Sequence, residues 1–216
     1  MNTPPIIRSL GRVDYAATWQ AMVDFTRTRT ADTPDELWVC EHPPVYTLGQ
    51  AGKPEHRLID NGIPLVSCDR GGQITYHGPG QVVIYLLLDV ARRGIDVRDL
   101  VSRIEQAIID LLGEQGVTAV RLDGAPGVYI PRADDGRDVT NGVAKIASLG
   151  LRVKRNGCYH GLSLNVDMDL APFLAINPCG YAGMAVTQTR DLGVTLTPAQ
   201  AGDALVRHLT QQLEHA

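Results

Sequence analysis

A cysteine held between a proline and a glycine, Cys179 in "INPCG", has the setting of a reactive thiol. Proline and glycine favour a turn there, and a cysteine in a turn is more accessible than one inside an apolar strand. If a helical turn opens at that point, free backbone amides would favour the thiolate and hold an oxyanion. The competing reading is a small buried cysteine, and the residue types leave both open. Cys40, Cys68 and Cys158 lie in or beside strand-like apolar runs and are expected to be buried. No two cysteines form a CxxC pair, so neither a zinc knuckle nor any other metal site is expected, and the thiols are expected to be reduced.

Lys145, in "AKIASLGLRVKR", interrupts residues that are otherwise apolar or small. It either points to solvent or sits in a cleft, where desolvation would lower its pKa and make it usable as a base. The stretch "RGGQITYHGPGQ", from Arg70 to Gln81, crowds glycines beside an arginine, hydroxyls and a histidine. Gly71 and Gly72 would let a ligand approach the main chain, and Arg70 offers a fork of donors for a carboxyl, phosphate or carbonyl group. The alternative is a hairpin with spare glycines. The stretch is neither GxGxxG nor a P-loop, which leaves a nucleotide cradle weakly supported. His160, beside Gly161 in "HGLSLNV", either lines a pocket or is a satisfied structural histidine, and the second reading is preferred. His42, His56, His208 and His215 share no metal-ligand spacing.

Taken together, "RGGQITYHGPGQ", "AKIASLG", "HGLSLNV" and "NPCG", in this order, resemble the octanoyltransferases of protein lipoylation, and "EHPPVYTLGQ" from Glu41 to Gln50 matches as well. The resemblance covers most of the chain and is densest from Trp38 to Thr187. It implies the biotin/lipoate protein ligase-like fold in a single catalytic domain spanning 1–216. It implies transfer of an octanoyl group from octanoyl-acyl carrier protein to a lysine of a lipoyl domain. Acceptors would be the E2 subunits of 2-oxoacid dehydrogenases and the glycine-cleavage H protein. The reaction would pass through a cysteine thioester and use no cofactor. Cys179 would be the nucleophile and Lys145 its partner. The acyl pocket would be lined by Arg70, Gly71, Gly72, Gln73, Ile74, Thr75, Tyr76 and His77, with Ser148, Leu149, Gly150, Gly161, Leu162 and Ser163. Gln73 and Ser163 stand at positions that vary in the family. An ATP-dependent lipoate or biotin ligase of the same fold and a non-enzymatic acyl-binding module are the alternatives.

These residues need elements to position them. Apolar residues at helical spacing predict helices over Asp14–Arg27, Val97–Gln115 with Gly116 as the stop, and from Pro198 onward with Thr197 as the N-cap. Strand-like runs fall at Leu37–Cys40, Pro64–Cys68, Val82–Leu88, Val117–Leu122, Gly127–Ile130, Val143–Leu149, Leu151–Arg155 and Tyr159–Val166. Several follow one another without room for a crossover helix. That favours an α+β fold with mixed, mostly antiparallel sheets packed with helices. The polar segment from Pro131 to Gly142 is expected to be an exposed hairpin loop.

The 216 residues are enough for a sizeable core, and 44% hydrophobic residues is ordinary for a globular chain. A net charge of −4 with mixed signs gives no case for nucleic acid or an anionic membrane as partner. No signal-peptide core opens the chain, and Val82–Leu88 is too short to span a bilayer. A cytoplasmic, monomeric protein is expected.

Overall fold

The computed structural model describes residues 3–132 and 142–214. Two sheets organise it. The larger has six strands: β1 (Ile6–Arg12), β2 (Glu36–Glu41), β6 (Gln81–Asp89), β9 (Gly157–Asn165), β8 (Val143–Lys154) and β7 (Val128–Pro131), side by side in that order. Only β1 and β2 run parallel; the other neighbours are antiparallel. The smaller sheet has β3 (Val45–Leu48) between β4 (Leu65–Ser67) and β5 (Ile74–His77). The mixed, mostly antiparallel α+β architecture expected from the short connections is the one observed.

Strand β6 explains why its sequence is an unbroken apolar run. Side chains alternate between faces of a strand, so such a run must be buried on both. Val82, Ile84, Leu86 and Leu88 face a core made with α3 (Val97–Glu114) and α4 (Pro198–Glu214). Val83, Tyr85 and Leu87 face the other way, toward α1 (Tyr15–Thr28). The predicted apolar face of α3, from Leu100 to Leu112, is buried, as are Ala201, Leu205, Leu209 and Leu213 of α4. Thr197 caps α4 in a capping box, its Oγ1 accepting from Gln200 N while Gln200 Oε1 accepts from Thr197 N.

The structure departs from the sequence reading in several places. Val117–Leu122 is no strand; it makes one isolated bridge, Val120 to Tyr129. The runs Val143–Leu149 and Leu151–Arg155 are one continuous strand, β8. Strands β1, β3 and β5 and the single-turn helix α2 (Val90–Arg93) were not anticipated. β1 is an edge strand with mostly exposed residues, so it carries no inward–outward pattern. Residues 133–141, most of the predicted hairpin loop, lie outside the described residues. The strands flanking them do pair, and Arg132 N donates to Gly142 O at 2.7 Å.

Candidate active site

Lys145 sits on β8, only 3% exposed, so it does not point to solvent. Its backbone fixes more than its own side chain. Lys145 N donates to Ala185 O (2.8 Å) and Thr187 N donates to Lys145 O (2.9 Å), which ties the segment after Cys179 along the strand. On the other side, Asn177 N donates to His56 O (2.8 Å) and Arg57 bridges Ile176. The turn that carries Cys179 is therefore pinned at both ends. Lys145 Nζ lies 3.0 Å from Cys179 Sγ. It also donates to Tyr129 Oη (3.1 Å) and Pro126 O (3.0 Å).

The turn is not the start of an α-helix. Pro178–Gly180 is a single 3-10 turn in which Cys179 takes φ 57°, ψ 18°, a left-handed conformation uncommon outside glycine. Such outliers cluster at functional sites. The amides of Gly180 and Tyr181 donate to Asn177 O and Pro178 O, so they are not the free helix-end donors that the sequence suggested.

Burial pulls the Lys145 ammonium down in pKa. The Cys179 sulfur and the Tyr129 hydroxyl, both in hydrogen-bond contact, outweigh it, and the net direction is up. The expectation that shelter would lower this lysine is therefore reversed. The contacts with the sulfur and the phenol oxygen favour the charged amine more than desolvation opposes it. Gly127 makes room for the side chain. At φ 141° it tolerates what other residues do not, and a Cβ there would meet Lys145 Cε at 2.7 Å and Nζ at 2.8 Å.

From this pair an apolar cavity of about 340 Å³ runs between the large sheet and β5. Arg70, Gly71, Gly72, Gln73, Ile74, Thr75 and His77 line it from one side, with Ser148, Leu149, Gly150, Gly161, Leu162 and Ser163 from β8 and β9 on the other. Lys145 and Cys179 belong to the same wall. Tyr76 does not. The alternation of β5 turns its ring to the opposite face, against Tyr46 and Phe173, at 5.5 Å between centroids in each case.

Arg70 also takes a different part from the ligand fork inferred from sequence. Its guanidinium donates to the chain's own carbonyls, those of Thr47, Gly71 and Gln73, and to Thr47 Oγ1. It ties the glycine loop to β3. His77 is buried with Nδ1 against Gln81 Oε1 (2.7 Å), and burial pushes its pKa down to about 3, leaving it neutral at neutral pH. His160 is buried at φ 62°, its Nε2 2.9 Å from Asp69 Oδ1, and it both lines the cavity and holds a structural contact. Burial likewise lowers the His160 pKa. Asp69 further accepts from Trp19 Nε1 and Tyr159 Oη; these contacts outweigh its burial and hold its carboxyl well below the usual range.

Cys40 and Cys158 are buried, and desolvation raises each thiol to about 12. Cys68 is only partly buried, contrary to expectation. Sequence reasoning missed Tyr129 and Pro126, which orient the lysine, and Tyr15, Val83 and Tyr85, which line the cavity. Their only sequence signal was apolar periodicity, which does not distinguish a core side chain from a cavity wall.

A family model described as the lipoyl protein ligase A/B catalytic domain matches residues 14–210. The chain is 66% identical over 212 residues to an octanoyltransferase of Dechloromonas aromatica, covering 98% of each. It is 61% identical to one of Chromobacterium violaceum, covering 97% of this chain and 96% of that one. The chain belongs to the octanoyltransferase family. It is accordingly an acyltransferase of protein lipoylation. The chain shares its fold with a lipoate-protein ligase A solved with ATP, at TM-score 0.72 and 17% identity, covering 98% of this chain and 86% of that one. It also superposes on the bipartite lipoate protein ligase of Thermoplasma acidophilum at TM-score 0.74 and 18% identity, covering 99% and 85%. A biotin protein ligase of Aquifex aeolicus is more distant, at TM-score 0.57 and 11% identity, covering 97% and 70%. No helix among the described residues is long and apolar enough to cross a membrane.

Proposed function

We propose that the enzyme moves an octanoyl group from octanoyl-acyl carrier protein onto Cys179 and from there onto a lysine of a lipoyl domain. The acceptors are the E2 subunits of 2-oxoacid dehydrogenases and the glycine-cleavage H protein. The observation that carries this reading is the Lys145 Nζ–Cys179 Sγ contact of 3.0 Å at the lip of an apolar cavity. The Thermoplasma neighbour was solved together with its E2 lipoyl domain, which is in keeping with such an acceptor.

The chemistry follows from the pair. The Cys179 thiolate attacks the carbonyl carbon of the thioester, and the bond from that carbon to the carrier's sulfur breaks. Lys145 gives its proton to the departing thiolate. In the acyl-enzyme Cys179 carries no charge, so its part of the interaction that raised the Lys145 pKa is lost, while the Tyr129 contact and the burial persist. Having given up its proton, the amine is left neutral and able to accept another. The acceptor amine then attacks the acyl-enzyme, its proton passes to Lys145, and the Cys179–carbon bond breaks. The ammonium and thiolate are both restored. The thioester is already activated, so the cycle needs no ATP.

Incubation with octanoyl-acyl carrier protein alone, followed by mass spectrometry, tests this. One octanoyl group on the peptide holding Cys179 is the expected result. An adduct on another residue, or one that forms only with ATP and free octanoate, overturns it.

A further inference from the structure

Glu105 is the one charged side chain among the buried residues of α3, and it is only 7% exposed. Both carboxylate oxygens are engaged. Oε1 accepts from Gly127 N at 2.9 Å, and Oε2 pairs with Arg121 Nε at 3.2 Å. Arg121 Nη2 also donates to Ser102 O (2.9 Å) and Gln106 Oε1 (2.8 Å) on the same helix. The two residues moor both ends of the loop 121–127 to α3. A buried carboxylate is costly even when paired, so a core helix has no need of one for stability.

What it serves lies on the other side of Gly127. That N–H and the carbonyl of Pro126 belong to one peptide group, and Pro126 O accepts from Lys145 Nζ at 3.0 Å. Carboxylate, peptide and ammonium are thus joined by two hydrogen bonds, with the charges at most about 8 Å apart. An anion bonded to the N–H of a peptide polarises it and strengthens its carbonyl as an acceptor. The ammonium has three N–H groups, and Cys179 Sγ, Tyr129 Oη and Pro126 O take all three. Tyr129 Oη itself donates to Ala125 O at 2.9 Å. Both oxygen acceptors of the lysine therefore depend on the loop that Glu105 holds.

We propose that Glu105 is a positioning residue for the reaction. Acting through the Pro126–Gly127 peptide, it holds the Lys145 amine in place and lends it the support of a negative charge. This rests on the reading of Lys145 as proton donor and acceptor and deepens it. The support matters most in the acyl-enzyme, where the sulfur carries no charge. There the polarised carbonyl keeps the amine aimed at the reacting centre and ready for the acceptor's proton.

The test is a titration of Lys145 in the full-length Cys179→Ala variant, whose position 179 is uncharged as in the acyl-enzyme. The only other lysines are Lys53 and Lys154, so NMR of protein with isotope-labelled lysine can follow this side chain. Glu105→Gln, added to that background, keeps an acceptor for Gly127 N and removes the charge. It is expected to lower the Lys145 pKa by about one unit, the scale of a charge at this distance. Arg121→Gln removes the cation beside Glu105 and is expected to raise it. Tyr129 and Tyr181, the other titratable groups at this corner, are the same in every variant. An unchanged or raised value in Glu105→Gln overturns the proposal, as does a fall in both variants, which would mark a disturbed loop rather than a lost charge. Should Glu105→Gln fail to fold, Arg121→Gln decides alone, a rise supporting the proposal and any other result overturning it. No substrate enters the measurement. Absence of an acyl-enzyme in the parent would instead strike the reading of Cys179.

Discussion

Lys145 Nζ and Cys179 Sγ stand 3.0 Å apart although 34 residues separate them, and the lysine is nearly inaccessible to solvent. The contact exists because the chain beyond Cys179 returns to pair with the backbone of Lys145 itself, through Ala185 and Thr187. The strand that presents the cation also moors the loop that presents the sulfur.

Lys145→Arg separates charge from proton transfer, because arginine keeps the cation and is effectively never deprotonated. Cys179 in this variant should still react with iodoacetamide at close to the parent rate. Transfer from the acyl-enzyme to a lipoyl domain should slow on the order of a hundredfold, the scale of general acid–base catalysis. Acylation of Cys179 should slow as well, because arginine cannot give a proton to the departing carrier thiolate. Parent-like transfer across neutral pH would reduce Lys145 to an electrostatic role.

Among the cysteines, burial disfavours two as nucleophiles. Burial raises Cys40 and Cys158 to about 12, which leaves them protonated at neutral pH. Cys179→Ala should abolish the octanoyl adduct seen by intact-protein mass spectrometry, and Cys158→Ala should retain it. Retention of a stoichiometric adduct in Cys179→Ala would contradict the assignment.

Two glycines near the site should fail for different reasons. Gly127→Ala drives a methyl group into Lys145 Cε and Nζ, so it should displace the lysine and reduce transfer far more than it lowers Tm. Gly72 sits at φ 87° with no atom closer than 3.4 Å to an added Cβ. Gly72→Val should therefore act through backbone strain on the loop that Arg70 ties down, cutting transfer severely while the protein stays folded. Near-normal kinetics in either variant would count against these roles.

The pH dependence of stability should carry the mark of His77. Its folded-state pKa of about 3 lies below its ordinary value of 6.5, because burial disfavours the imidazolium. Between those values the unfolded chain binds the extra proton. The stabilising contribution is therefore complete above about 6.5 and is lost as pH falls toward 3. Denaturant unfolding of His77→Gln should show a flatter loss of stability over that window than the parent. Parallel curves would show that the imidazole titrates normally in the folded state.

The helices and the central strands were legible in the sequence because their burial imposes a period. Leu100, Ile104, Ile108 and Leu111 repeat at helical spacing, and Val82–Leu88 is apolar throughout because α3 and α4 cover one face while α1 and the cavity take the other. Strand β1 was illegible because an exposed edge imposes no pattern. Strand β5 was hidden because its residues Ile74 to His77 lie within a glycine-rich stretch that also reads as a loop.

The residue types of the site were likewise present in the sequence. Cys179 in its proline–glycine turn, Lys145 in an apolar run and the glycine loop after Arg70 were all recognisable before any coordinates. The sequence could not determine whether the lysine faced water or the thiol, because that depends on a pairing between Lys145 and residues 185–187 that no local rule encodes. Nor could it determine the direction of the lysine's pKa. Burial alone lowers an amine, and only the contacts with Cys179 and Tyr129 turn the balance upward. Tyr76 was assigned to the cavity by its neighbours in sequence and excluded from it by the alternation of its strand. Periodicity reports that a residue is buried; the tertiary structure alone decides against what.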